Sequence, residues 1–101
     1  MIKITNYING KLSAPYNKKY INIFNPSTGN IYAACPNSEK KDLENAIKGA
    51  ELSFLEWSNL TQKDRSNFLF EIADLIEKNL DEFAKSESTD NGKPYKLSKS
   101  L

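Results

Sequence analysis

The groups that could do chemistry in this chain are few. Cys35 is the only thiol, and the 101 residues include no histidine. A reactive thiolate needs a helix N-terminus, a cation or a base beside it. Cys35 instead closes the apolar run Ile31-Tyr32-Ala33-Ala34-Cys35, just before Pro36, and reads as a small buried hydrophobe. Without histidine the commonest general base and transition-metal ligand are missing. A Ser/His or Cys/His nucleophilic pair within the chain is therefore excluded, and a single cysteine forms neither an internal disulfide nor a metal cluster. Gly10, Gly29, Gly49 and Gly92 are too far apart for a phosphate-cradling loop. Asp90 stands out because it precedes Asn91-Gly92 at an expected helix C-terminus, where the helix dipole disfavours an anion. It reads either as a solvated turn residue or as an acid facing a bound cation or a basic partner. Glu82 and Glu87 read as a solvated helix face.

Elements that could position these groups follow from local patterns. Asn9-Gly10 suits the two positive-φ positions of a type I′ turn, so Asn6–Ile8 and Lys11–Ser13 are expected to form a small hairpin. Tyr20–Phe24 alternates β-branched and aromatic residues at period two, a strand signal. The polar turn Asn25-Pro26-Ser27-Thr28-Gly29-Asn30 follows, with Pro26 fixing φ and Gly29 free to adopt a left-handed conformation. Ile31–Cys35 returns as a strand that Pro36 ends. Ser38 is the expected cap of a first helix, whose stripe is Leu43, Ala46, Ile47, Ala50, Phe54 and Trp57. Glu44 and Lys48 lie four apart on its other face. Gly49 lowers its helix propensity and leaves room for a neighbouring element. Ser58-Asn59 breaks it.

Thr61 with Asp64 resembles a capping box. A second helix carries Phe68, Leu69, Ile72, Ala73, Leu75 and Ile76, and Asn79 ends or bends it. A third helical piece begins at Asp81 and runs to about Thr89, with Asn91-Gly92 as its left-handed stop and Pro94 beyond. Tyr95 onward starts another element. The spacing of Phe54, Trp57, Phe68, Phe70 and Phe83 suits packed amphipathic helices, so these aromatics are expected in the core. Any exposed part of the stripe would mark a docking surface.

Charge and composition narrow the function. The 14 basic and 13 acidic residues are interspersed and leave a net charge of +1, with Arg65 the only arginine. This argues against nucleic acid and anionic membranes as partners. No run approaches the ~18 apolar residues of a membrane span, and the start shows no signal-peptide core. A soluble, cytoplasmic protein is the expectation.

Taken in order, Tyr7-Ile8-Asn9-Gly10-Lys11, Phe24-Asn25-Pro26-Ser27-Thr28-Gly29, Leu43…Ala46-Ile47…Ala50, Phe54…Trp57-Ser58, Arg65…Leu69…Ile72-Ala73-Asp74-Leu75-Ile76-Glu77 and Glu87-Ser88-Thr89-Asp90-Asn91-Gly92-Lys93-Pro94 resemble the N-terminal segment of the NAD(P)-dependent aldehyde dehydrogenase superfamily. The resemblance runs from about Asn6 to Leu101. It implies an α+β piece of an α/β fold. Strand hairpins over 6–35 are followed by three helices over 38–91, the first part of a cofactor-binding domain. Family members are much longer, and the chain's ending on Ser98-Lys99-Ser100-Leu101 without a closing cap points the same way.

For the parent enzyme the resemblance implies oxidation of an aldehyde to a carboxylic acid. A thiolate adds to the carbonyl, hydride passes to NAD+ or NADP+, and water hydrolyses the thioester. It also implies a homo-oligomer. The family's catalytic cysteine, general-base glutamate, oxyanion-hole asparagine and glycine-rich cofactor loop match no position here, and Cys35 does not fit the nucleophile's motif. No catalytic or cofactor-binding residue is therefore assigned. The chain would be a scaffold, inactive alone, whose partner is the remaining aldehyde dehydrogenase chain. One site carries over by resemblance: the backbone oxygens of Ile23 and Phe24 and the carboxylate of Asp90 as donors to K+ or Na+, which takes hard oxygen ligands. The rival expectation is a stand-alone α+β interaction module that binds a partner through its apolar helix faces.

Overall fold

The computed structural model describes Met1–Ser100. Two compact units result. The first comprises Met1–Phe24 and Ile31–Asn59; the second comprises Asn25–Asn30 and the described residues from Leu60 onward.

In the first unit, β2 (Asn6–Ile8) and β3 (Lys11–Ser13) form the expected hairpin. Its tip holds Asn9 at φ 53° and Gly10 at φ 75°, the two left-handed positions a type I′ turn requires. A three-stranded sheet has the order β1 (Ile2–Lys3), β5 (Ile31–Pro36), β4 (Tyr20–Phe24). β4 and β5 pair antiparallel, whereas β1 pairs parallel to β5, with Ile2 opposite Ala33. β1 has no sequence signature of its own, because two residues are too few for a period. Its order comes from β5, extended by the Ile4 N–H donating to the Ala34 carbonyl at 2.8 Å, and from the Lys3 ammonium lying 4.2 Å from the Tyr20 ring centroid. Pro36 is the last residue of β5, one residue later than expected.

α1 (Lys40–Asn59) runs through the Ser58-Asn59 break that its sequence suggests. Ser38 does not cap it. The Ser38 hydroxyl is instead engaged by the Asn6 amide, accepting at 2.9 Å and donating at 3.2 Å. Asp42 does the work of a cap: its carboxylate, only 6% exposed, accepts from the backbone N–H of Glu39 and of Tyr16, both at 2.9 Å. A carboxylate in the first turn serves an otherwise unpaired helix donor and suits the dipole, and here it also ties the loop before β4 to the helix. Glu44 pairs with Lys40, at 3.7 Å, on the preceding turn rather than with Lys48. Gly49 does admit a close neighbour, since a Cβ there would stand 3.4 Å from the Asn9 Cβ.

In the second unit, α2 (Gln62–Lys78) starts on Thr61, whose hydroxyl accepts from the Asp64 N–H, and stops at Asn79. The Arg65 guanidinium donates to the Leu60 carbonyl beside that start. α3 (Leu80–Asn91) begins one residue earlier and ends two later than its pattern suggests. A fourth, short helix, α4 (Tyr95–Lys99), follows Pro94, in place of the three-helix count. The turn at Asn25 is held from within. The Asn25 carbonyl accepts from Thr28 and Gly29, its N–H donates to Asn30, and its side chain accepts from Ser27 at 2.9 Å. Gly92 stops α3 at φ 78°, its N–H donating to the Ser88 carbonyl. A Cβ on Gly92 would meet the Pro26 ring at 3.2 Å, whereas one on Gly29, also at positive φ, would meet nothing within 4 Å.

The expectation of an aromatic core fails. The buried apolar residues are Ala33, Ala34 and Ala84, while Phe54 is 63% exposed, Phe70 69% and Phe83 54%. The stripe has the spacing of a packed helix, but these helix faces have no cover within either unit. Cys35 is half-buried rather than buried. It sits on β5 opposite Ile21.

Gly29 and Gly92 offer a paired test. Replacing either by alanine is expected to cost about 1–2 kcal/mol, since a left-handed conformation disfavours any Cβ. Gly92→Ala should cost clearly more than Gly29→Ala, because of Pro26. Urea midpoints would read this, and equal losses would contradict the contact.

Candidate functional site

The polar side chains that the fold brings together serve to hold elements in place. In the second unit Asp81, in the first turn of α3, accepts from the Tyr95 hydroxyl at 2.8 Å and pairs with the Lys99 ammonium at 2.7 Å. One carboxylate thus ties both ends of α4 to the start of α3. Beneath it the Ser88 and Ser98 hydroxyls share a hydrogen bond at 2.9 Å, with Ser98 buried, and Lys93 reaches Glu87 at 3.4 Å. The hydrogen bond from Lys99, then that from Tyr95, then the ammonium charge hold the Asp81 carboxyl below its ordinary value. The same hydrogen bond from the other side, followed by burial, raises Tyr95, and the bond and charge of Asp81 raise Lys99. A surface groove of about 600 Å³ beside this cluster is lined by Asn25, Asp81, Glu82, Lys85, Ser88, Thr89 and Tyr95. In the first unit a groove of about 500 Å³ runs along Asn6, Tyr7, Ser38, Asp42 and Leu43. Neither has a lining thiol or any base beyond carboxylates and lysine, so neither has the parts of a nucleophilic site.

The residues suggested as cation donors fall in different units. Ile23 and Phe24 are in β4 of the first, and Asp90 is in the last turn of α3 in the second. The β4–β5 register is irregular between Ile23 and Phe24, where a bulge re-aims backbone groups away from the regular ladder. The three donors are all hard oxygens, the type that such a cation takes. Among the described residues no group of three His, Cys, Asp or Glu side chains could hold a metal ion.

Comparison with known proteins gives this scaffold its context. The model of the aldehyde dehydrogenase family matches residues 13–100. The chain belongs to the aldehyde dehydrogenase family. Human 2-aminomuconic semialdehyde dehydrogenase is 40% identical over 101 residues, covering 100% of this chain and 20% of the human protein. An aldehyde dehydrogenase of Vibrio cholerae is 37% identical over 91 residues, 90% of this chain and 18% of the relative. Among solved structures, the NAD+ complex of the Bacillus cereus aldehyde dehydrogenase superposes with a TM-score of 0.91 at 32% identity, over 95% of this chain and 20% of that one. PnpE in complex with nicotinamide adenine dinucleotide gives 0.94 at 28% identity, over 97% and 20%. The chain therefore spans about a fifth of the length of the aldehyde dehydrogenases it matches, and within that fifth it reproduces their mixed α+β arrangement of strands followed by helices. No helix among the described residues is long and apolar enough to cross a membrane.

The sequence patterns did not reveal Asp42 or the Asp81–Tyr95–Lys99 cluster. Asp81 and Tyr95 stand 14 residues apart, beyond any local motif. Asp42, four residues after Ser38, carried a usable signal as a first-turn acid.

The clasp has a defined pH window. Asp81 is depressed, so its contribution is complete above the ordinary value of 3.8 and is lost as pH falls through the lowered one. Tyr95 and Lys99 are raised, so theirs is complete below 10.0 and 10.5 and is lost as pH climbs through the raised values. Asp81→Asn should bring the Tyr95 pKa down toward 10.0 in an NMR titration of labelled tyrosine. An unmoved Tyr95 would contradict the clasp.

Proposed function

We propose that this chain is the N-terminal portion of an NAD(P)-dependent aldehyde dehydrogenase that oxidises an aldehyde to a carboxylic acid, and that the portion itself is a scaffold. The observation that carries this reading is the family match over 13–100 joined to structural likeness at TM-scores of 0.91 and 0.94. The two solved relatives are complexes with the nicotinamide cofactor by their descriptions, which supports NAD or NADP as the hydride acceptor. Asp42 and Thr61 set helix starts, Gly92 sets a helix end, and Asp81 pins α4. None of them is placed to attack a carbonyl. The chain supplies helices and strands, and the thiolate, the base and the cofactor loop belong to the rest of the protein. The protein is proposed to be a cytoplasmic homo-oligomer, as the resemblance implies.

The match along almost the whole chain disfavours a stand-alone interaction module, because a module would have no reason to keep the ordered landmarks of a longer enzyme. Ile23, Phe24 and Asp90 are proposed as donors to K+ or Na+ on the strength of the resemblance and of their oxygen-only chemistry.

A chimera tests the reading. This chain replaces the matching fifth of the human relative, fused to the remainder. The chimera is expected to reduce NAD+ in the presence of that enzyme's aldehyde, and the chain alone is expected to be inactive. An inactive, well-folded chimera, or an active isolated chain, would overturn the proposal. In the same chimera K+ or Na+ should raise the thermal midpoint relative to choline, and Asp90→Asn should abolish that rise. A midpoint indifferent to the cation would remove the three donors from the account.

A further inference from the structure

Helix α1 is apolar on more than one side. Leu43, Ile47 and Phe54 form one stripe at 60%, 48% and 63% exposure. Leu52 lies nine positions after Leu43, half a turn around at about 100° per residue, and is 70% exposed, with Leu55 at 69% nearby. A third side, at Gly49, carries the β2–β3 hairpin. A surface helix shows one apolar stripe, and a helix apolar around its circumference is a buried helix. A flat partner or a short peptide would cover one side of α1 and leave the other wet. The occupant must therefore envelop the helix.

The length of the relatives says what that occupant is. The same arrangement recurs in chains of which this one covers 20%, so the helix has its place inside a chain about five times as long. We propose that α1 is a docking surface complete enough to recruit the other four-fifths of an aldehyde dehydrogenase in trans, without a covalent link. This rests on the family reading and deepens it by naming the surface and the partner. Burying half-exposed leucine, isoleucine and phenylalanine side chains supplies the drive, at about 1.5–3 kcal/mol for each fully buried side chain. The exposed positions of the stripe are not part of either unit's own packing, so they can be changed without unfolding the chain.

The test co-expresses the tagged chain with the remaining four-fifths of the human relative as a separate polypeptide. Co-purification of the pair with recovered NAD+-dependent aldehyde oxidation is expected. Ile47→Asp and Phe54→Asp should each lower recovery at least about tenfold, a factor equivalent to about 1.4 kcal/mol, with helix content unchanged by circular dichroism. Lys48→Asp, off the stripe, should leave recovery unchanged. The fused chimera separates the two claims. An active fusion with no capture in trans overturns the docking proposal and leaves the family reading standing, whereas an inactive fusion counts against both. Undiminished capture by both aspartate variants would show that α1 is not the surface. Sedimentation of the chain alone as a dimer that Ile47→Asp makes monomeric would make a second copy the occupant and would overturn the proposal as well.

Discussion

Burial of apolar surface is the constraint on which the rest of this structure depends. The buried apolar residues are three alanines, Ala33, Ala34 and Ala84. An alanine removes little area from water, whereas the large side chains that ordinarily supply the drive lie 41–70% exposed along α1. A chain of this size has to offset about 1–2 kcal/mol of backbone entropy per ordered residue. The apolar faces of α1 and α2 are thus surfaces made to be covered, and relatives five times as long have the chain to cover them.

Order within each unit comes from polar groups that settle the backbone locally. Asp42 serves two backbone donors at once, Thr61 caps α2, Asn25 closes its turn with both backbone groups and its side chain, and Asp81 joins α3 to α4. Buried or half-buried backbone groups must find partners, and these contacts supply them without help from distant chain. A segment built this way keeps its secondary structure while lacking a core. That combination suits a scaffold: the elements are preformed, and assembly supplies the burial.

The local part of this architecture was legible in the sequence. Asn9-Gly10, Thr61 with Asp64, Asn79 and Gly92-Lys93-Pro94 each state a backbone requirement within a few residues, and the structure meets each of them. The non-local part was not. β1 is two residues whose parallel partner is 31 positions away, and the Asp81 cluster closes over a helix and a turn. Spacing also misplaced the aromatics. Periodicity says that a face will be buried, but it does not say whether the covering chain is within the same 101 residues. Of the suggested cation donors the sequence gave the residue types. Their role as a set rested on the resemblance.

The central claim is that α1 is a core helix whose cover lies in the rest of the enzyme. Amide hydrogen exchange along Lys40–Asn59, compared between the chain alone and the chain fused to the remainder of the human relative, tests it most directly. Exchange reports the local free energy of opening. The account predicts protection in the fusion greater by at least about tenfold, or about 1.4 kcal/mol, across α1. Equal protection in the two proteins would show that α1 is already as stable as it will become, and would contradict the account.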